Sequence, residues 1–233
     1  MGACVDAESP ISETPLHIAC RFGNIETALL LLVKGANVNA SREDGWTPLH
    51  LSVVKGHHDI SLLLIDQGAD VNATTEAGLT PLHLSSFKGH HDISLLLIEW
   101  GADVCATTCD GSSPLHRCST FDHKEFVDLL LSRGAEVDRA DESGFTAIHW
   151  ACQNVHHDVV KALADRKARA ETVAVNGRTP LFSACNSTRW DVVRLLIERY
   201  VPAIVEHTAR QLWNETTPLI CLAIHGDSET SRR

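Results

Sequence analysis

The stretch Asp44-Gly45-Trp46-Thr47-Pro48-Leu49-His50 contains the string Thr-Pro-Leu-His, on which the whole chain is organised. Five other copies of that string, intact or altered, follow one another at steps of 33 residues and begin at Thr14, Thr80, Ser113, Thr146 and Thr179. A seventh copy begins at Thr217, after a longer step of 38 residues. A fixed period of this size indicates one supersecondary unit stacked many times, so the fold and any binding surface follow from a single repeat.

Each repeat predicts two short helices and an extended segment. Thr47 caps free backbone N–H groups at a helix start, and Pro48 at the first helical position loses no hydrogen bond. Gly56 is expected to end this helix, because a residue without a Cβ tolerates the left-handed conformation. Apolar residues at helical spacing predict a second helix over about residues 59–66, which Gly68 ends before an extended segment with a turn. Each unit is too small to bury its own apolar face, so stability must come from stacking.

The repeat resembles the ankyrin repeat, for which the 33-residue period and the Thr-Pro-Leu-His signature are typical. The match covers about residues 12–233 and includes several motif elements in register, among them Gly56-His57 and Gly68-Ala69-Asp70-Val71-Asn72. The resemblance implies an all-α solenoid of stacked helix-turn-helix units with β-hairpin fingers. It divides the chain into a tail at 1–11, six repeats at 12–213 and an incomplete seventh at 214–233.

Composition limits the classes of partner. The net charge is −10, and residues 1–116 hold 5 Lys and Arg against 14 Asp and Glu. This acidity argues against nucleic acid or an anionic membrane as ligand and favours a partner with a basic surface, with simple solubility as an equal alternative. No apolar run reaches the roughly 20 residues of a membrane span, and no signal peptide begins the chain. We therefore expect a monomer in the cytoplasm or nucleus.

Histidines and cysteines are the residues that would suggest an enzyme or a metal site. Most of the 14 histidines recur with the repeat, either in the Thr-Pro-Leu-His slot or in the His-His-Asp triplets that start second helices. Residues that repeat because the scaffold repeats are poor catalytic candidates. Cys105 and Cys109 share one finger, but no second pair lies at a metal-binding spacing. No phosphate loop or nucleophile elbow is present. We predict no catalysis, no metal and no cofactor.

In ankyrin-like proteins the ligand contacts a concave groove of finger tips and first helices, at positions that vary while the scaffold stays fixed. Several of those positions here carry aromatic residues near acidic finger tips, the composition of a protein-binding hot spot. Gap-filling between repeats is the alternative for the aromatic residues. The predicted partner-binding residues are Phe22, Glu43, Asp44, Trp46, Lys55, Glu76, Leu79, Phe87, Lys88, Asp110, Phe121 and Phe145.

Irregular copies lie toward the end of the chain. The fifth repeat has Val155 and Lys167 where helix-ending glycines stand elsewhere, so a helix there is expected to run on or bend, with irregular packing around residues 164–175. Five extra residues between Tyr200 and Glu215 predict a longer loop or an extended helix. The half-built seventh repeat favours a truncated chain. We predict a non-catalytic module (scaffold, adaptor or inhibitor) that binds a protein; the alternative is a fragment of a larger protein, such as a ubiquitin-ligase substrate-recognition subunit.

Overall fold

A computed structural model describes residues 5–187 and 190–211, with side chains up to residue 200. Within these residues the chain forms twelve α-helices and no regular β-strand. It divides into two compact units, Met1–Arg117 and Cys118–Arg233, and the boundary falls inside one helix. The predicted all-α class is confirmed.

The first unit consists of helix pairs that match the 33-residue repeat. Its complete helices are α1 (Pro15–Phe22), α2 (Ile25–Val33), α3 (Pro48–Lys55), α4 (His58–Asp66), α5 (Pro81–Lys88) and α6 (His91–Glu99). The first helices of successive repeats pack on one another, α1 on α3 and α3 on α5. The second helices do the same, α2 on α4 and α4 on α6, and each also packs on the first helix of its own repeat. The unit is thus a stack of helical pairs.

The second unit continues the pattern. Its helices are α7 (Pro114–Thr120), which contains the boundary, α8 (Lys124–Ser132), α9 (Ala147–Gln153), α10 (His157–Asp165), α11 (Pro180–Asn186) and α12 (Trp190–Gln211). Helix α9 packs on α11, and α10 packs on both α8 and α12. At 22 residues α12 is longer than any other helix described. Of the two predicted alternatives, a longer loop or an extended helix, the residues that follow Tyr200 up to Gln211 therefore form the extended helix. The predicted seventh repeat, 214–233, lies outside the described residues.

The helix boundaries follow from the repeated letters. The Thr47 side chain accepts a hydrogen bond from the His50 backbone N–H, and Pro48 occupies the first turn of α3. Gly56 ends this helix with φ +79°, a left-handed conformation that costs glycine little. Apolar side chains between the two helix layers form the core. Its largest fully buried members include Leu16, Leu49, Leu64, Leu82 and Leu97 in the first unit and Leu130, Ile148, Leu163 and Leu196 in the second.

The fingers differ from the β-hairpins that were expected. Within the described residues only Ala140 and Thr146 form an antiparallel bridge. Elsewhere a finger is closed by a turn and one further bond, as where Thr75 N donates to Leu79 O over 3.0 Å. Neighbouring fingers also bond directly, since Glu76 N donates to Asp44 O over 3.0 Å. The arms of a finger are too short for a regular ladder, so inter-finger bonds supplement the bonds within each finger.

The prediction that helices of the fifth repeat run on or bend is wrong. Helix α9 ends at Gln153, within one residue of where its counterparts in other repeats end, and α10 ends at Asp165, the same position as its counterparts. Val155 and Lys167 instead adopt the left-handed conformation themselves, with φ +64° and +63°. Stacking on neighbouring repeats therefore determines where these helices stop, even though the backbone conformation is unfavourable for a residue with a Cβ.

Candidate functional site

A buried threonine–histidine pair fixes the start of each first helix. The backbone N–H of Thr47 donates to Nδ1 of His50 over 3.2 Å. Nε2 of His50 donates to the carbonyl oxygen of Leu79 in the next finger over 3.0 Å. Because Nδ1 accepts from an N–H group, the ring is the neutral tautomer with its proton on Nε2. Burial lowers the pKa of His50 to about 4, so the ring stays neutral at physiological pH.

The same arrangement recurs in three other repeats that keep the histidine. His17 contacts Trp46 O at 3.0 Å and His83 contacts Ser112 O at 3.1 Å in the first unit. His149 contacts Arg178 O at 3.3 Å in the second. Burial lowers the pKa of His17 and brings that of His83 to about 4. Each of these histidines therefore has a structural role, since it bonds its repeat to the next finger.

A second set of histidines links repeats from the other end of the first helices. Nε2 of His57 donates to Arg21 O over 3.3 Å, and Nε2 of His156 donates to Thr120 O over 2.9 Å. The aspartates that follow in the His-His-Asp triplets stay at the surface; Asp59, for example, contacts only the exposed ring of His58, at 3.3 Å. Within the part of the chain that the structure describes, no three His, Cys, Asp or Glu side chains come together as a metal site.

Cysteines are divided between core and surface. Cys20, Cys118, Cys152 and Cys185 are buried in first helices. Burial raises the pKa of Cys20 to about 12 and also raises the pKa of Cys118 and Cys152, so these thiols stay protonated and act as small apolar side chains. Cys105 and Cys109 are more accessible, and the thiol of Cys109 contacts Glu76 O of the preceding finger at 3.3 Å.

The inner face of the first unit is formed by α1, α3 and α5 with the finger tips. Phe87 and Lys88 lie at the end of α5, where Lys88 Nζ is 4.7 Å from the centroid of the Phe87 ring. Phe87 is 37% exposed, although its size would suit a core position. Lys55 occupies the equivalent place on α3 and is also exposed. An exposed aromatic ring beside a cation is a surface that can take part in binding.

Two other predicted aromatic residues differ in environment. Phe22, at the end of α1, is 74% exposed, with the Arg21 guanidinium 5.9 Å from its ring centroid. Trp46 is half-buried, and its ring lies 5.8 Å from that of His50. The Trp46 carbonyl accepts the hydrogen bond from His17, and the half-buried Leu79 plays the same part for His50. Trp46 and Leu79 therefore serve the scaffold while they also line the inner face.

The predicted acidic finger tips form two groups. Asp44 pairs with Arg42 at 3.1 Å, and Asp110 accepts a hydrogen bond from the Thr108 hydroxyl, which lowers the pKa of Asp110. Both carboxylates are thus engaged within their own finger. Glu43 and Glu76 are exposed, and among the described residues neither forms an ion pair. Of the four acidic side chains, Glu43 and Glu76 are therefore the two whose charge faces solvent without an ion pair among the described residues.

An ion-pair network at the base of the first fingers was not predicted. Glu13, whose side chain is only 10% exposed, contacts Arg21 and also Arg42, the latter at 3.5 Å. Glu13 and Arg42 are 29 residues apart, the separation that also joins each buried histidine to the next finger. That shared separation is the signal from which the pairing could have been inferred.

Two of the predicted partner-binding residues belong to the second unit. Phe121 is exposed at the end of α7 and remains a candidate. Phe145 is only 6% exposed, because its ring packs 5.1 Å from His149 and 5.2 Å from Trp150, measured between centroids. A ring this buried offers little surface to a partner, so we leave Phe145 out of the proposed binding surface.

Comparison of the sequence with known proteins finds one matching family. A family model described as "Ankyrin repeats (3 copies)" matches residues 3–75, 63–141 and 134–209. No curated protein matches the chain. Over the residues that the structure describes, no helix is long and apolar enough to cross a membrane.

Proposed function

Because the chain belongs to the ankyrin-repeat family, whose repeats are in general protein-interaction modules, we propose that it binds a partner protein through the inner face of the first unit. In this proposal the chain is a non-catalytic scaffold, adaptor or inhibitor, and the inner face is the concave groove of the family. The contacting residues are the exposed ones among those predicted, with Phe87 and Lys88 at the centre.

The observation that supports this proposal is the contrast between fixed and changing positions. Residue types that recur at most steps, such as Thr47 and His50, are buried and hydrogen-bonded within the stack. Positions that change from repeat to repeat, such as Phe87 and Glu76, are exposed on the inner face. Stacking does not require one residue type at those positions, so the exposed part of an aromatic ring there is available to a partner.

The charge of the first unit suggests the chemistry of that partner. Glu43 and Glu76 project from successive finger tips, and the surrounding sequence is strongly acidic. A basic protein surface would be attracted to this rim, whereas nucleic acid and anionic membranes would be repelled. The protonated, buried thiols suit a reducing compartment, the cytoplasm or the nucleus, where we place the protein.

Affinity capture with matched variants tests the proposal. Phe87→Ala with Lys88→Ala removes the exposed ring and its cation from the inner face. Trp100→Ala with Glu99→Ala removes an equally adjacent aromatic and charged pair from the outer end of the same repeat, where Trp100 is 50% exposed. Proteins captured from lysate by the wild type and by the Trp100 control, but lost from the Phe87 variant, would support binding at the inner face.

Circular dichroism of both variants must match the wild type for this comparison to hold. If the Phe87 variant, correctly folded, captures the same proteins as the wild type in the same amounts, the inner face of the first unit is not the binding surface.

A further inference from the structure

The second helix of the first repeat is apolar at positions where other repeats are polar. Ile25 stands at the position occupied in the next four repeats by His58, His91, Lys124 and His157. Val33 stands at the position occupied there by Asp66, Glu99, Ser132 and Asp165. The repeat scaffold therefore accepts polar residues at both places, and the apolar residues of α2 are not needed for stacking within the chain.

These apolar side chains reach solvent. The exposed fractions along α2 are 41% for Ile25, 50% for Leu29, 59% for Leu30 and 73% for Val33. On α1, Ile18 is 45% exposed, whereas its counterpart Leu51 is 5% exposed beneath the first repeat. We call the surface formed by Ile18, Phe22, Ile25, Leu29, Leu30 and Val33 the first-repeat face.

The first-repeat face is large for an uncovered surface. The six exposed fractions correspond to roughly 700 Å², above the about 300–600 Å² of the largest apolar patch on an ordinary monomer. Two such faces brought together would bury roughly 1,400 Å², within the range of about 1,200–2,000 Å² of a stable interface.

Two charges flank this apolar surface in a way that suits self-pairing. Glu26 lies one turn before Leu30, and Lys34 caps α2 one turn after it. The two are about 12 Å apart along the helix axis. Both side chains are exposed, and neither forms an ion pair within the described residues. A helix with opposite charges at its two ends is complementary to an antiparallel copy of itself.

We propose that the first-repeat face binds the first-repeat face of a second copy of this chain, with the two α2 helices antiparallel. A two-fold axis near Leu30 then places Glu26 of each copy beside Lys34 of the other, and the helix dipoles also oppose. A parallel arrangement would bring like charges together. The apolar patch can pair with a copy of itself, because burial of apolar surface does not require a partner of opposite charge.

This inference replaces the expectation of a monomer drawn from the sequence, and it does not depend on partner binding at the inner face. Phe22 is common to both surfaces, but Phe87 and Lys88 belong to the third repeat, so a dimer through the first repeat leaves these two accessible. A failure of one proposal is thus distinguishable from a failure of the other.

Sedimentation velocity of the 233-residue chain, from about 1 to about 100 µM, tests the pairing. The wild type is expected to shift from monomer to dimer across this range. Val33→Asp introduces the residue that the second and fifth repeats carry at this position, so its fold should be unchanged. It should weaken the dimer by about tenfold or more, because it places a charge inside an apolar interface. The matched control Val175→Asp alters a valine that is 81% exposed in the second unit, and it should dimerise like the wild type.

Charge exchange tests the antiparallel arrangement. Lys34→Glu alone should weaken the dimer, because it would face Glu26 of the other copy, and Glu26→Lys alone should weaken it likewise. The double exchange should restore the wild-type dissociation constant. A wild type that stays monomeric at about 100 µM, or a dimer unaffected by Val33→Asp, overturns the proposal and assigns this face to another occupant. A dimer that Val33→Asp breaks but that the double exchange does not restore overturns the antiparallel geometry.

Discussion

Nε2 of His50 lies 3.0 Å from the carbonyl oxygen of Leu79, so that the ring of one repeat is hydrogen-bonded to the finger of the next. The ring can keep both of its hydrogen bonds only while neutral, because Nδ1 accepts the bond from the Thr47 N–H and a protonated Nδ1 could not. Attachment between repeats is thereby coupled to the protonation state of a buried side chain, and this coupling gives the stack a pH dependence.

We expect the free energy of unfolding of the first unit to fall as the pH drops from about 6.5 to about 4. The pKa of His50 and His83 is about 4 in the folded chain and 6.5 in the unfolded chain. Between these values the unfolded chain binds more protons, so stability is present above pH 6.5 and is lost toward pH 4. Each histidine contributes on the order of 3 kcal/mol to that loss.

Urea unfolding at a series of pH values measures this dependence. His50→Gln should flatten the slope between pH 6.5 and 4, although it also lowers stability at pH 7. His58→Gln, at an exposed ring, is the control and should leave the slope unchanged. Equal slopes for all three proteins would mean that His50 does not titrate in this window.

Gly56→Ala should destabilise the first unit more than Gly68→Ala. Both glycines have positive φ, +79° and +88°, so alanine strains the backbone at either site by about 1–2 kcal/mol. A Cβ on residue 56 would also lie 2.8 Å from Cε1 of His90, whereas a Cβ on residue 68 meets nothing within 4 Å. The excess loss for Gly56→Ala, about 1 kcal/mol or more, measures the packing of His90 on this turn.

Denaturation midpoints of the two alanine variants provide the measurement. Similar losses for both would show that the ring of His90 moves aside without cost.

Lys167→Gly should stabilise the second unit, by about 0.5–1 kcal/mol. Lys167 holds φ +63°, and relief of this strain exceeds the greater chain entropy of glycine in the unfolded state. Lys161→Gly is the matched control in the middle of α10, and it should destabilise by about 1 kcal/mol because glycine is a poor helix former. Thermal unfolding should therefore move in opposite directions for the same change of residue type; a lower midpoint for both variants contradicts the prediction.

Glu43→Lys with Glu76→Lys should weaken binding of a basic partner, mainly through slower association that becomes less dependent on salt. Asp66→Lys with Glu99→Lys makes the same change in net charge at the ends of the outer helices α4 and α6, and it should have a smaller effect. Association rates at two salt concentrations, measured with a partner identified by capture, compare the two variants. Equal effects would assign the attraction to total charge and not to the finger tips.

Individual residues of the repeat predict the local structure of this chain well. Thr47, Pro48 and Gly56 determine where α3 begins and ends, and the period predicts what stacks on what. The burial of Phe145 could not be predicted in this way, because it depends on the orientation of the Trp150 ring, one turn along α9. Val155 and Lys167 were misjudged for a related reason: the neighbouring repeats impose a turn that the residues themselves disfavour. The exposure of Ile18 likewise depends on what lies above it, and the letters at that position are apolar in the first three repeats alike.

The bonds that recur between repeats join atoms at constant separations along the chain, 29 residues for His17 to Trp46 and for His50 to Leu79. An interface defined in this way is the same wherever a repeat is inserted. Duplication of a 33-residue block, of the kind suggested by the ten residues from Gly56 to Ile65 that recur unchanged from Gly89 to Ile98, adds a unit whose two contact surfaces already match its neighbours. The inner face can therefore lengthen or shorten in evolution by whole repeats.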